Sequence, residues 1–360
     1  MSAADQGIWK WADRINAPPE KYRITLGEGN TPLVRSRRIG PELGLTNLYF
    51  KLESANPTGS YKDRFAVSAV SHLLSHRKKR CLATSSGNTG ASLAAACAVA
   101  AIPCHLAIVE TAPEGKLKQM LAYGAKLHRI LGFGLDPIAS AEIFVRLQTL
   151  GRDDTISLEV SAFSISPLGM AGVESLAFEI DADLQSRVDH VFLPAGGGGL
   201  CLATARGFQK CPSSPAIHCV QPEGNNTIAG PLRAGRDLGQ RAMPCTTQIS
   251  GLQVPNLLDA NAVIKACRES GGNGHLVPDE AIYSLQARLA REEGIFSEPA
   301  GVVALAGALQ ALADGEIGRD QIIVCPITGS GFKDGPSLDR MISGEMVPMV
   351  DFDVFETTFS

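Results

Sequence analysis

Four short segments carry residues whose types and spacing could do chemistry. Ala195 to Leu200 reads AGGGGL and lies between an apolar run and a helical one. Consecutive glycines let backbone N–H groups come close to an anion, and a helix start favours negative charge. The spacing is not GxGxxG with a downstream acid, so it points to a single phosphate rather than a dinucleotide. Ser85 to Thr89, SSGNT, gathers hydroxyls, an amide and free N–H groups at another helix start. Such residues also make ordinary helix caps; what lifts this one above a cap is that it directly follows a strand-like run. In Glu53 to Arg64, ESANPTGSYKDR, Lys62 stands two residues after Ser60, past a Pro57-Thr58-Gly59 turn. The positive end of a helix and Arg64 together predict a lowered amine pKa. A lysine that sheds its proton can form an imine with a carbonyl. Ile327 to Asp334, ITGSGFKD, offers the hydroxyls of Thr328 and Ser330 between glycines.

Together these supply a lysine for an electrophile, a phosphate cradle, a second anion-binding helix start and a hydroxyl for a ring nitrogen. That inventory suits pyridoxal phosphate, which needs a lysine imine, a phosphate cup and a partner for its pyridine nitrogen. No metal motif competes, because the 7 histidines show neither HExxH nor HxH spacing.

The elements that must position these segments follow a β-α rhythm. Strands are predicted at 47–52, 80–84, 105–109, 126–131 and 155–160, with helices at 64–75, 88–101, 114–123 and 137–150. The rhythm restarts with strands at 190–193, 216–221 and 321–325 and helices at 201–209, 279–293 and 301–312. The reading is α/β, with two lobes of doubly wound parallel sheet. Ligands of such sheets sit beyond the carboxyl ends of strands, where the loops 85–90, 196–199 and 328–331 fall. The stretches 229–246 and 265–277 read as surface excursions.

Composition bounds the alternatives. A chain of 360 residues with 44% hydrophobic and 19% charged residues can bury a sizeable core. Lys and Arg total 33 against 37 Asp and Glu, so no basic excess is available to coat nucleic acid. The 9 cysteines form no CxxC pair, which reads as small core residues in a reducing compartment rather than a disulfide framework or a structural zinc site. No apolar run approaches the ~20 residues of a membrane span, and the N-terminal stretch lacks a secretory h-region. A cytoplasmic globular protein is the expectation.

At these residues the chain resembles a fold-type II pyridoxal phosphate enzyme, and within that class threonine synthase. The resemblance runs from Leu26 to about Ser337. It rests on LGEGNTPLV (26–34), NPTGSYKDR (56–64), SSGNTGAS (85–92), AGGGGL (195–200), EGIFSEPAG (293–301) and TGSGFKD (328–334). The resemblance implies the two-lobe, tryptophan synthase β-like fold. It implies Lys62 as the imine lysine and acid–base, and Asn88 at the cofactor's 3-oxygen. Gly196, Gly197, Gly198, Gly199 and Leu200 would hold the phosphate, and Thr328 the pyridine nitrogen. Ser85, Ser86, Gly87 and Thr89 would hold the substrate carboxylate. Many threonine synthases carry an Asn-Pro-x-Arg segment that grips the substrate phosphate; here the corresponding stretch is Ser166-Pro167-Leu168-Gly169, which leaves Ser164, Ser166 and backbone N–H groups for the substrate's distal end.

The implied architecture is a large cofactor-binding domain, 1–63 and 161–360, and a smaller mobile domain, 64–160. The implied activity is elimination and replacement on a small amino-acid substrate with a good leaving group, such as O-phosphohomoserine to threonine. A serine or threonine dehydratase or a β-replacement synthase is the alternative, and a non-catalytic amino-acid-binding homologue a third reading. A homodimer, with no nucleic-acid or membrane partner, is expected.

Overall fold

A computed structural model describes residues 6–359 except 113, 186 and 243. Ten strands, β1 to β10 in chain order, form two sheets. The smaller holds β3 (Arg80–Ala83), β4 (Cys104–Val109), β5 (Lys126–Ile130) and β6 (Ile156–Glu159), in the order β5-β4-β3-β6 with every pairing parallel. The larger holds β1 (Leu33–Arg35), β2 (Leu48–Lys51), β7 (His190–Pro194), β8 (Ala216–Pro222), β9 (Gly274–Val277) and β10 (Ile323–Pro326). Its order is β1-β2-β10-β7-β8-β9, parallel except where β1 runs antiparallel to β2.

The central strands are short, apolar and buried almost end to end, as in β7, β8 and β10. A parallel sheet demands this, because helical crossovers cover both its faces. The Asn88–Val99 helix, alanine-rich and apolar all round, is buried from Thr89 to Cys97. Such a helix has no solvent face to offer and must lie between layers. The Lys62–Ser75 helix is buried from Asp63 to Leu73 and packs on both the Asn88–Val99 and Pro167–Val173 helices. It therefore lies where the two sheets meet.

Charge at that junction is internal and paired. Arg64, fully buried, bonds Glu53 at 2.8 Å and Glu179 at 2.7 Å. Lys51 meets Glu179 at 3.0 Å and Asp183 at 2.9 Å. Removing one member would strand a buried charge, so this network holds the head of the Lys62–Ser75 helix in register with β2 and the Ser175–Asp183 helix.

The two-sheet α/β reading is correct, with three corrections. The stretch 229–246 is not wholly a surface excursion: it opens with the Ala229–Arg233 helix, whose Ala229, Pro231 and Leu232 are buried and which packs on β9. The stretch 265–277 is no surface excursion: the Ala260–Glu269 helix runs into it, and β9 closes the sheet's far edge. Gly272 and Gly274 make the approach possible, since a Cβ at either would strike the backbone of Ile217 or Ala229. The larger sheet is also not wholly parallel, because the three-residue β1 folds back on β2. All the cysteines are free. The sulfurs of Cys81, Cys97 and Cys104 lie within 4.8 Å of one another inside the core of the smaller sheet, a grouping no local spacing announced. Among the described residues no helix is long and apolar enough to cross a membrane.

Candidate active site

Lys62 is the first residue of its helix, Lys62–Ser75. The turn before it is stitched to the loop after β10: Tyr61 N–H donates to Thr328 O at 3.1 Å, Ser330 N–H to Gly59 O at 2.9 Å, and Ser60 pairs with Gly329. This places the hydroxyl-bearing loop directly beside the lysine. The Lys62 ammonium lies 4.5 Å from the Tyr61 ring centroid and donates to Ser161 Oγ at 2.6 Å. Burial of the amine lowers its pKa to about 7, opposed by the nearby carboxylate of Glu298. The direction matches the sequence expectation and the cause does not, because Arg64 directs its guanidinium to Glu53 and Glu179.

Ser161 is the hub of the site. It follows β6, and its hydroxyl stands 3.3 Å from Thr89 Oγ1 as well as against Lys62. Its carbonyl lies against Gly199, where a Cβ would come within 2.7 Å of it. One residue thus joins the lysine, the start of the Asn88–Val99 helix and the glycine loop.

The glycine loop fills the turn between β7 and the Gly199–Phe208 helix. Gly198 has φ +94°, and a Cβ there would sit 2.7 Å from Val263 Cγ2. Behind the loop, Asp259 N–H donates to Gly197 O at 3.1 Å. The first-turn amides of Gly199, Leu200 and Cys201 have no carbonyl one helical turn behind them and are free for an anion. Across from it, Ser85, Ser86, Gly87 and Asn88 are half-buried at the head of their helix, and Ser85 Oγ accepts Gly87 N–H at 3.2 Å.

Glu298 completes the cluster. It is 6% exposed, accepts from Asn88 Nδ2 at 2.7 Å, and burial lifts its carboxyl to about 7.

The predicted residues therefore fall into two groups. Lys62, Ser85, Ser86, Gly87, Asn88, Thr89, the loop 196–200 and Thr328 belong to four segments that follow β2, β3, β7 and β10, joined through Ser161, Tyr61 and Glu298. Ser164 and Ser166 are placed differently. Ser166 is buried, accepts Val160 N–H at 3.0 Å and donates to Leu158 O at 3.4 Å, which holds its hydroxyl inside the turn. Ser164 is exposed, and its N–H donates to Asp259 Oδ1 at 3.0 Å. Two site residues escaped the sequence reading. Ser161 sits in no motif; Glu298 lies inside the EGIFSEPAG motif, to which the sequence reading assigns no site role.

The fold and these loops define a class. A family model described as pyridoxal-phosphate dependent enzyme matches residues 24–329, and the chain belongs to that family. Within it the chain is a threonine synthase-like enzyme. It is 34% identical over 335 residues to the threonine synthase of Methanosarcina acetivorans, covering 91% of this chain and 80% of the relative. It is 32% identical over 345 residues to that of Mycobacterium tuberculosis, covering 95% and 92%. Among solved structures, the processed threonine deaminase isoform 2 of Solanum lycopersicum superposes with a TM-score of 0.75 at 21% identity, over 94% of each chain. Serine racemase of Dictyostelium discoideum gives 0.70 at 24%, over 85% of this chain and 94% of the other. At those identities the likeness shows the shared fold.

The residues present fit the cofactor. A desolvated lysine could meet its aldehyde, free amides at a glycine turn could meet its phosphate, and Ser60 Oγ is buried near Lys62 with no partner among the described residues. The chain is a pyridoxal phosphate-dependent lyase.

Proposed function

We propose that the chain converts O-phosphohomoserine to threonine, with Lys62 as the cofactor-bearing lysine. The observation that carries this is the buried Lys62 amine, with its pKa lowered to about 7, at the junction of two helix starts and a hydroxyl loop. Bound there, the cofactor supplies an electron sink that acidifies the substrate α-proton. Lys62 takes that proton and returns it, since its pKa matches the working pH. Gly196 to Leu200 hold the cofactor phosphate, and Asn88 faces the 3-oxygen. Ser85, Ser86, Gly87 and Thr89 hold the substrate carboxylate. The neutral Thr328 hydroxyl leaves the ring nitrogen unprotonated, which suits elimination and replacement better than transamination. The relatives named threonine synthases support this substrate.

A second reading, a dehydratase or β-replacement synthase, is favoured by one observation. A Cβ at Gly169 would stand 2.7 Å from the Phe65 ring and 2.9 Å from Ala69, so no arginine fits at that position to fork a phosphate ester.

Steady-state kinetics on O-phosphohomoserine, O-phosphoserine, O-acetylserine, serine and threonine separate the two. Phosphate and threonine released from O-phosphohomoserine with the highest kcat/KM support the first. Keto acid and ammonia from serine or threonine as the main products would replace it with the second. We further propose that the segment 64–160 closes as a smaller lobe over 1–63 and 161–360. The assembly is read as a cytoplasmic homodimer; the free cysteines fit a reducing compartment, and light scattering would report the dimer's mass.

A further inference from the structure

Glu298 is an expensive residue to bury where it lies. Its carboxylate has one hydrogen bond, from the neutral Asn88 amide, and among the described residues no cation approaches within ion-pair distance of it. A buried carboxylate with no direct ion pair and a single neutral donor is unfavourable even with lysines nearby, so packing alone would select an apolar side chain. The backbone nonetheless fixes it firmly. Glu298 N–H donates to Gly329 O at 3.1 Å, Ser297 pairs with Ser330, and Ser297 Oγ donates to Glu298 O at 2.9 Å. Gly329 makes room for the carboxylate, since a Cβ there would land on Glu298 Oε1. The loop that carries Thr328 is therefore shaped around this side chain.

The Asn88 amide carries two N–H bonds on one nitrogen, and one of them is taken by Glu298. Holding one fixes the direction of the other. We propose that Glu298 is a positioning residue for Asn88, fixing the amide so that its second N–H is presented to the cofactor's 3-oxygen. This rests on the proposed placement of Asn88 at that oxygen. A carboxylate acceptor also polarises the amide and makes the remaining N–H a firmer anchor. The charged and titratable groups that face Glu298 are Lys62, Tyr61, Lys116, Lys333 and Asp334. With burial holding its carboxyl near 7, both members of the Lys62–Glu298 pair titrate in the neutral range.

The test uses pyridoxal phosphate itself as the probe. Apo-protein is titrated with the cofactor, and the visible band of the loaded protein is followed against pH, for Glu298→Ala, Glu298→Gln, Asn88→Ala and the Glu298→Ala/Asn88→Ala double variant. The two single alanine variants are expected to weaken cofactor binding by roughly five- to tenfold, the scale of one hydrogen bond. Both should shift the pH midpoint of the band in the same direction, and the double variant should be no worse than either single one. Glu298→Gln keeps an acceptor oxygen in nearly the same shape and should recover most of the affinity. Wild-type affinity and spectrum in Glu298→Ala, alongside a changed Asn88→Ala, would overturn the positioning role and leave the Asn88 assignment standing. Fully additive losses would overturn it too, as would Glu298→Gln binding no better than Glu298→Ala. An unchanged Asn88→Ala would remove the assignment of Asn88, and the positioning role with it.

Discussion

Lys62 owes its chemistry to desolvation. An ammonium in water loses its proton near pH 10.4; in this site burial favours the neutral amine and lowers the value to about 7. The neutral amine is the form that attacks an aldehyde. The rate at which apo-protein develops the cofactor's visible band should therefore rise as pH increases through about 7 and level off above it. A rate still climbing toward pH 10 would show an ordinary exposed lysine. Borohydride reduction and peptide mapping should then place the label on Lys62. Thr328 acts on a smaller scale. It is buried, and its carbonyl already anchors Tyr61, so Thr328→Ala keeps that backbone contact and loses the hydroxyl together with one methyl group. Turnover should fall by a few-fold, the effect of a hydrogen bond worth about 0.5–1.5 kcal/mol, with melting temperature and lysine labelling retained. Loss of the fold, or no kinetic effect, would reduce Thr328 to a turn residue.

At the scale of elements, function depends on turns that only particular residues can make. Gly198, at φ +94°, lets the chain leave β7 and turn directly into the Gly199–Phe208 helix, whose first-turn amides are left unpaired. Gly198→Ala should cost about 1–2 kcal/mol in backbone strain, and its Cβ would press on Val263. Cofactor affinity and thermal stability should both drop; unchanged affinity would place the phosphate elsewhere. Such turns are why so much of the site could be read in the sequence. Glycine runs, helix starts and strand-end hydroxyls are local signals, and Lys62, Asn88, the glycine loop and Thr328 all lie in them. Ser161 and Glu298 act through residues far away in the chain, Lys62 and Thr89 for one and Asn88 for the other. Nothing beside them in sequence reveals those partners. Elements failed for a related reason. β9 is four residues long and follows Gly271-Gly272-Asn273, a turn signal that outweighs so short a strand. β1 is an edge of three residues, below the length at which alternation can be recognised.

The whole molecule also carries an acid-sensitive cluster away from the chemistry. In the larger sheet His190, His218 and His275 form a ladder across β7, β8 and β9, with His190 Nδ1 3.0 Å from His218 Nε2 and His218 Nδ1 3.1 Å from His275 Nε2. Phe192 stacks on His218 at 4.2 Å between centroids. Asn273 N–H also points at His218 Nδ1, which fixes that nitrogen as an acceptor. Each ring can then donate to the next only while neutral; a second proton on His218 would set donor against donor. Burial and the neighbouring rings lower His218 to about 2, and burial lowers His275 to about 4. The unfolded chain takes up these protons below about pH 6.5, whereas the folded chain refuses them. Stability should therefore be unaffected by these groups above that pH and fall as pH drops from 6.5 toward 4, each proton taken up on unfolding contributing about 1.4 kcal/mol per pH unit. Glu179, held down to about 2 chiefly by Arg64 against the opposing effect of its burial, begins to weaken the fold only below its unfolded value near 4.5. The two contributions occupy different pH windows and can be separated. Urea unfolding at pH 7.0, 6.0 and 5.0 should show the ladder's decline in the native protein, partly offset by Glu298, whose raised carboxyl gains a proton in the folded state over the same range. His218→Phe, which keeps the stacking area and cannot take a proton, should flatten it by up to one proton's worth even if its absolute stability is lower. An equal slope in the variant would show that the ladder does not set the acid limit of this fold.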